Sequence, residues 1–206
     1  MRYERIKRRI ERNFKKIDMM RSARLDLPFV QFVSLMPYMT MDTIKSLVLV
    51  QPPKVYCKRT IPENLQFVTY GTLVSLQNAA KTSDYLLTCC SLVSVLTGLH
   101  PDRVASTPAR MVLGIVNMVQ REMERIGKLF SSLDTDHTSE EMSAGIERLN
   151  FGSFGIADWY AKRMGIVDHE EVFATPWARI YQCLKIDHEN NEFERRYRKI
   201  MERKNK

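Results

Sequence analysis

TPARMVLGIVNMVQREMERIGKL, residues 107–129, is the stretch that decides the fold class. Thr107 offers a side-chain oxygen to an orphan amide, and Pro108 has a fixed φ suited to the first helical position, so the pair marks a helix start. Met111, Ile115, Met118, Val119, Glu122, Ile126 and Leu129 then recur at helical spacing, which predicts a helix of more than about twenty residues.

The same punctuation extends outward. Ser83 or Asp84 can cap a helix that carries Tyr85, Leu86, Cys89, Leu92, Val93 and Leu96 and stops at Gly98. This segment is apolar on most faces and reads as the central, buried helix. Upstream, Pro62 suits the first turn of a short helix, and Thr69 or Tyr70 begins another with Leu73, Val74 and Leu76. Residues 27–50 are densely apolar but broken by Pro28 and Pro37. Pro52-Pro53 ends that stretch, Lys54 to Thr60 is the one weak strand candidate, and 51–61 reads as a connector.

Downstream, Thr138-Ser139-Glu140-Glu141 matches a capping box, and Asp168-His169-Glu170-Glu171 can start a further helix. From Trp177, the residues Ile180, Tyr181, Leu184, Phe193, Tyr197 and Ile200 stand at mostly helical spacing, and Asn190-Asn191 is the place where a break could fall. No internal repeat at a fixed period and no low-complexity tract is visible. The expectation is an all-α protein: a single helical domain of about seven or eight helices with basic helical arms at both termini. The boundaries are 1–26 for the N-terminal arm, 27–192 for the body and 193–206 for the C-terminal arm.

Charge singles out the arms. The 206 residues carry a net charge of +8, of which residues 1–25 hold +7 and 193–206 hold +5, leaving −4 between them. With 44% hydrophobic and 27% charged residues the composition is that of a globular chain. No run reaches the roughly 18 apolar residues of a membrane span, and the first twenty positions lack the apolar centre of a secretory signal. A cytoplasm-like compartment is expected. Cys57, Cys89, Cys90 and Cys183 form no C-x-x-C pair and read as free thiols, mostly buried.

Motifs for chemistry are weak. Asp134-Thr135-Asp136-His137 opens like a calcium loop, but Ser139 and Gly145 stand where the template needs Gly and Glu, so a polar inter-helix loop is expected. His169 among acidic neighbours along one turn reads as helix capping, because consecutive side chains point apart. Phe151-Gly152-Ser153-Phe154-Gly155 reads as a turn pinned into the core by its two phenylalanines. No phosphate-cradling loop, nucleophile elbow or metal-ligand spacing is present. The expectation is therefore a non-enzyme without cofactor, metal or small-molecule substrate.

The N-terminal arm places Tyr3, Ile6, Ile10, Phe14 and Ile17 on one stripe, with Arg5, Arg8, Arg9 and Arg12 on the other faces. The candidate interaction residues are Tyr3, Arg5, Ile6, Arg8, Arg9, Ile10, Arg12 and Phe14, together with Arg195, Arg196 and Tyr197. Three readings stand open. They are docking onto protein neighbours with apolar anchors and an arginine rim, phosphate contact along nucleic acid, and plain solvated helix faces.

The runs Ile61-Pro62-Glu63-Asn64-Leu65 and Thr69-Tyr70-Gly71-Thr72-Leu73, the segment 157–165 (ADWYAKRMG), Thr175-Pro176-Trp177 and Phe193-Glu194-Arg195-Arg196 together carry a likeness. Over about two thirds of its length the chain resembles small virion-assembly proteins of tailed bacteriophages that infect Bacteroidetes. The resemblance implies a non-enzymatic role in the virion, assembled in the host cytoplasm, with self and other virion proteins as partners. A ring-forming head–tail connector or tail-barrel subunit is the first expectation. A tail-assembly chaperone and a nucleic-acid binder using the basic arms are the alternatives.

Overall fold

A computed structural model describes residues 24–134, 139–148 and 151–204. Helix accounts for 71% and strand for 5%, with ten α-helices among the described residues, so the chain is all-α. The helices that the sequence punctuation does not mark, at 29–35, 41–47 and 101–105, are under two turns each and too short to print a hydrophobic period, while the one at 152–164 begins where a turn is expected. In chain order the helices are α1 Phe29–Leu35, α2 Met41–Leu47, α3 Tyr70–Ala79, α4 Tyr85–Thr97 and α5 Pro101–Ala105. They continue as α6 Ala109–Ser131, α7 Ser139–Ser143, α8 Gly152–Met164, α9 His169–Ala174 and α10 Trp177–Lys204. The described residues gather into two compact units, 24–63 with 78–121, and 64–77 with the described part of 122–204.

In the first unit the early turns of α6 are the most buried: Ala109, Val112, Ile115 and Val119 are fully enclosed, and Leu113, Val116 and Met118 nearly so. The central role expected of α4 falls to α6 instead. On α4 only one face is enclosed, through Cys89, Cys90, Leu92 and Val93, while Leu87 is about half exposed. Two features hold the connector after α2 against α6. The Asn117 side-chain amide donates to the Leu47 carbonyl at 2.7 Å and the Val50 carbonyl at 3.1 Å. Gly114 leaves room for the chain, since a Cβ there would stand 2.2 Å from the Gln51 carbonyl oxygen.

The weak strand candidate is a two-residue hairpin, β1 Val55–Tyr56 against β2 Arg59–Thr60, with Val55 opposite Thr60 and Tyr56 opposite Arg59. Cys57 and Lys58, at φ 47° and 65°, occupy the left-handed conformations that a two-residue hairpin turn requires. Pro62 starts no helix; residues 63–68 form bends around a single turn at 66–67.

Helix starts are paired across the chain. The Phe29 amide donates to the Thr107 carbonyl at 2.8 Å, and the Ala109 amide to the Leu27 carbonyl at 2.9 Å. In the second unit the Tyr70 amide donates to the Thr175 carbonyl at 2.8 Å, and the Trp177 amide to the Val68 carbonyl at 3.3 Å. The first amides of a helix have no partner within it, so each start here supplies the acceptor for another. Pro28, Pro108 and Pro176 sit in the intervening positions, where the missing N–H costs nothing. Thr107 therefore does not cap α6 as its sequence implies. Its hydroxyl donates to the Val104 carbonyl at 2.7 Å and accepts from the buried Tyr56 hydroxyl at 2.7 Å.

The two units repeat one order of local devices, which the sequence conceals. The helices α4 and α8 are both 13 residues long and both end on a left-handed glycine, Gly98 at φ 64° and Gly165 at φ 67°. A short helix follows, α5 or α9, then Thr107-Pro108 or Thr175-Pro176 at the paired start of a long helix. Val104 and Val172 are both fully buried, as are Val112 and Ile180. Apart from those glycines, α4 and α8 share no residue at matching positions, so no period is legible.

In the second unit Leu65 is tied at both polar atoms. Its amide donates to Glu122 Oε2 at 3.1 Å, and its carbonyl accepts from the buried Trp177 indole at 2.6 Å. Arg125 grips Glu122 with two nitrogens, at 3.1 and 2.9 Å, and lies over the Trp177 ring. Phe151 and Phe154, expected as core anchors, are 69% and 55% exposed. The segment opens α8 at Gly152, and Phe154 stacks on His169 at 5.0 Å, at the rim of the unit.

Candidate interaction surface

The C-terminal helix α10 runs unbroken for 28 residues, so no interruption occurs at Asn190-Asn191 and residues 193–204 continue the same helix. Two asparagines cost only tenths of a kilocalorie each in a helix, too little to break one anchored elsewhere. The anchor is its first two turns: Trp177, Ile180 and Tyr181 are buried, and Phe130 lies edge-on to Tyr181 at 5.5 Å.

Past Leu184 the two faces of α10 exchange character. On the continuation of the packed side stand His188, Asn191 and Arg195, which with Asp187, Phe130 and Trp159 line an open cleft of about 720 Å³. Arg163 pairs with Asp187 and lies over the Trp159 ring at 5.7 Å, while Arg195 reaches Glu192 at 3.5 Å. The opposite side is apolar: Ile186, Phe193, Tyr197 and Ile200 are 52, 62, 54 and 51% exposed. Leu184 and Phe193 are nine residues apart, about 900° or half a turn at ~100° per residue, so the stripe faces away from the packed side. Phe193 and Tyr197 stack with ring centroids 6.2 Å apart.

Of the candidate residues named from the sequence, Tyr3, Arg5, Ile6, Arg8, Arg9, Ile10, Arg12 and Phe14 lie outside the described residues. The other three fall on different faces of α10. Tyr197 belongs to the outward stripe, Arg196 flanks it exposed, and Arg195 turns to the cleft half-buried. Ile186, Phe193 and Ile200, which complete the stripe, are not among the candidates. Their mutual seven-residue spacing is the signal that could have found them.

The reactive-looking side chains are occupied structurally. Asp168 Oδ1 caps α9 by accepting from the Glu170 amide at 2.9 Å. His169 Nε2 lies 3.5 Å from Asp158, whose carboxyl is held below its usual range by Lys162, with His169 adding to the effect. Burial pushes the Cys89 thiol up to about 12 and the Cys90 thiol up to about 11, which keeps both protonated and unreactive at neutral pH. Among the described residues no group of three His, Cys, Asp or Glu side chains converges on a metal position. No helix there is long and apolar enough to cross a membrane. Comparison with protein-family models, curated proteins and solved structures gave no match.

Proposed function

We propose that this chain is a non-enzymatic structural or assembly protein of a tailed bacteriophage, acting through helix-mediated protein contacts in a multi-copy particle. The observation that carries the reading is the outward stripe of α10, where four large apolar side chains are each about half exposed on a helix rooted in a packed unit. Isolated surface apolar residues are ordinary, but a continuous stripe on one helix face is a contact surface. The likeness of Ile61 to Leu65, of 157–165 and of Phe193 to Arg196 to virion-assembly sequences supports the setting. Within it the chain is a ring-forming head–tail connector or tail-barrel subunit, located in the virion.

Mass spectrometry of purified particles tests this, by counting copies of the chain against the major capsid protein. A fixed stoichiometry of many copies per particle supports the ring subunit. Expression in infected cells with absence from particles overturns it in favour of a tail-assembly chaperone. Steep loss of nucleic-acid affinity with salt, removed by charge reversal at Arg195 and Arg196, would point to phosphate contact instead.

A further inference from the structure

The geometry of α10 points to a specific occupant for its outward stripe: the same helix of a second copy, packed antiparallel about Phe193. This rests on the reading of the chain as an assembly subunit and names the contact. Ile186, Phe193 and Ile200 stand at seven-residue intervals, with Tyr197 and Met201 beside them, which is the seam of a two-helix packing. Such a short seam is too weak to fold two free peptides. Here the helix is already nucleated and held by Trp177, Ile180 and Tyr181, so pairing pays no cost of helix formation.

Charge decides the direction. Between Ile186 and Phe193 stand Asp187, Glu189 and Glu192 with no Lys or Arg, the first and last of them paired with Arg163 and Arg195, whereas from 194 to 204 Arg195, Arg196, Arg198, Lys199, Arg203 and Lys204 outnumber Glu194 and Glu202. A parallel pair would set acidic half on acidic half and basic on basic. An antiparallel pair lays each acidic half over the partner's basic half, and sets Ile186 opposite Ile200 of the second copy. Glu189 and Arg196, seven residues apart on the same flank of the stripe, become neighbours between copies. Both are exposed, and among the described residues neither forms an ion pair within its own chain. The contact is two-fold and closes at two copies, so ring closure is made by other surfaces.

Sedimentation equilibrium of the purified full chain, over about 1 to 200 µM, tests the pairing. The expected result is a reversible dimer. Phe193→Asp should weaken it by roughly a hundredfold, since the ring is lost from the centre on both copies, with helix content unchanged by circular dichroism. Glu189→Arg and Arg196→Glu should each weaken it several-fold, and the double variant should restore it. A monomer throughout, or a dimer indifferent to Phe193→Asp, overturns the proposal. So does a double variant no better than the singles. A monomer that is nonetheless abundant in particles would refute this pairing alone, while a dimer absent from particles would refute the virion role alone.

Discussion

Two glycines in one helix should respond to alanine with opposite signs. Gly114 and Gly127 both lie inside α6, so each Gly→Ala gains about 0.8–1 kcal/mol of helix propensity. At Gly127 nothing lies within 4 Å of the new methyl, so that gain should appear as a net stabilisation of ~0.5–1 kcal/mol. At Gly114 the methyl would stand 2.2 Å from the Gln51 carbonyl oxygen and 2.9 Å from Pro52 Cα. Those neighbours are backbone, so the connector itself must retreat by roughly 1 Å, an overpacking cost of ~1–3 kcal/mol. The retreat also strains the two Asn117 bonds to the Leu47 and Val50 carbonyls, worth about 1 kcal/mol each. Net destabilisation of about 1–4 kcal/mol remains after the propensity gain. Urea unfolding followed at 222 nm, with hydrogen exchange at Leu47–Val50 to localise the change, measures both variants. If Gly114→Ala is as stable as Gly127→Ala, the connector does not press on α6 and the account of the first unit is wrong.

Cap removal gives a second check. Asp84 accepts from the Leu87 amide at 2.8 Å and Asp168 from the Glu170 amide at 2.9 Å, so Asp84→Ala and Asp168→Ala should each cost about 1 kcal/mol in thermal or urea denaturation. Thr107→Val should cost more than a lost cap, about 1–3 kcal/mol, because the buried Tyr56 hydroxyl loses its acceptor. Alkaline pH should destabilise the fold. Cys89 and Cys90, raised to about 12 and about 11 by burial, stay protonated in the native state, whereas the unfolded chain releases those protons from about pH 8.5. Their contribution is fully present below that value and is lost as pH climbs towards the native values. Cys89→Ala should flatten the slope of stability against pH above 9, and an unchanged slope would count against burial of the thiol.

Local chemistry was legible in sequence where a residue acts on its own backbone or one helical face. The cap at Asp84, the stop at Gly98, the length of α6 and the all-α class follow from side-chain spacing and φ preference, which need no partner. The hairpin at 55–60 was legible as a weak strand. Of the interaction surface, Phe193, Tyr197 and Ile200 were visible as periodic apolar residues, and Ile186 was not.

Tertiary structure decided the rest, because each remaining feature depends on what stands opposite. Thr107 read as a cap, yet the facing chain segment supplies the acceptors and leaves its hydroxyl to Val104 and Tyr56. Phe151 and Phe154 carry the same hydrophobicity as Phe29 and Phe32, but only the latter are enclosed. The repeated order of helix, left-handed glycine, short helix and paired start survives with almost no shared residues, since packing constrains volume and backbone direction rather than identity. The apolar stripe of α10 is defined by the side that Trp177, Ile180 and Tyr181 use up, and periodicity alone cannot tell a face already covered from one still open.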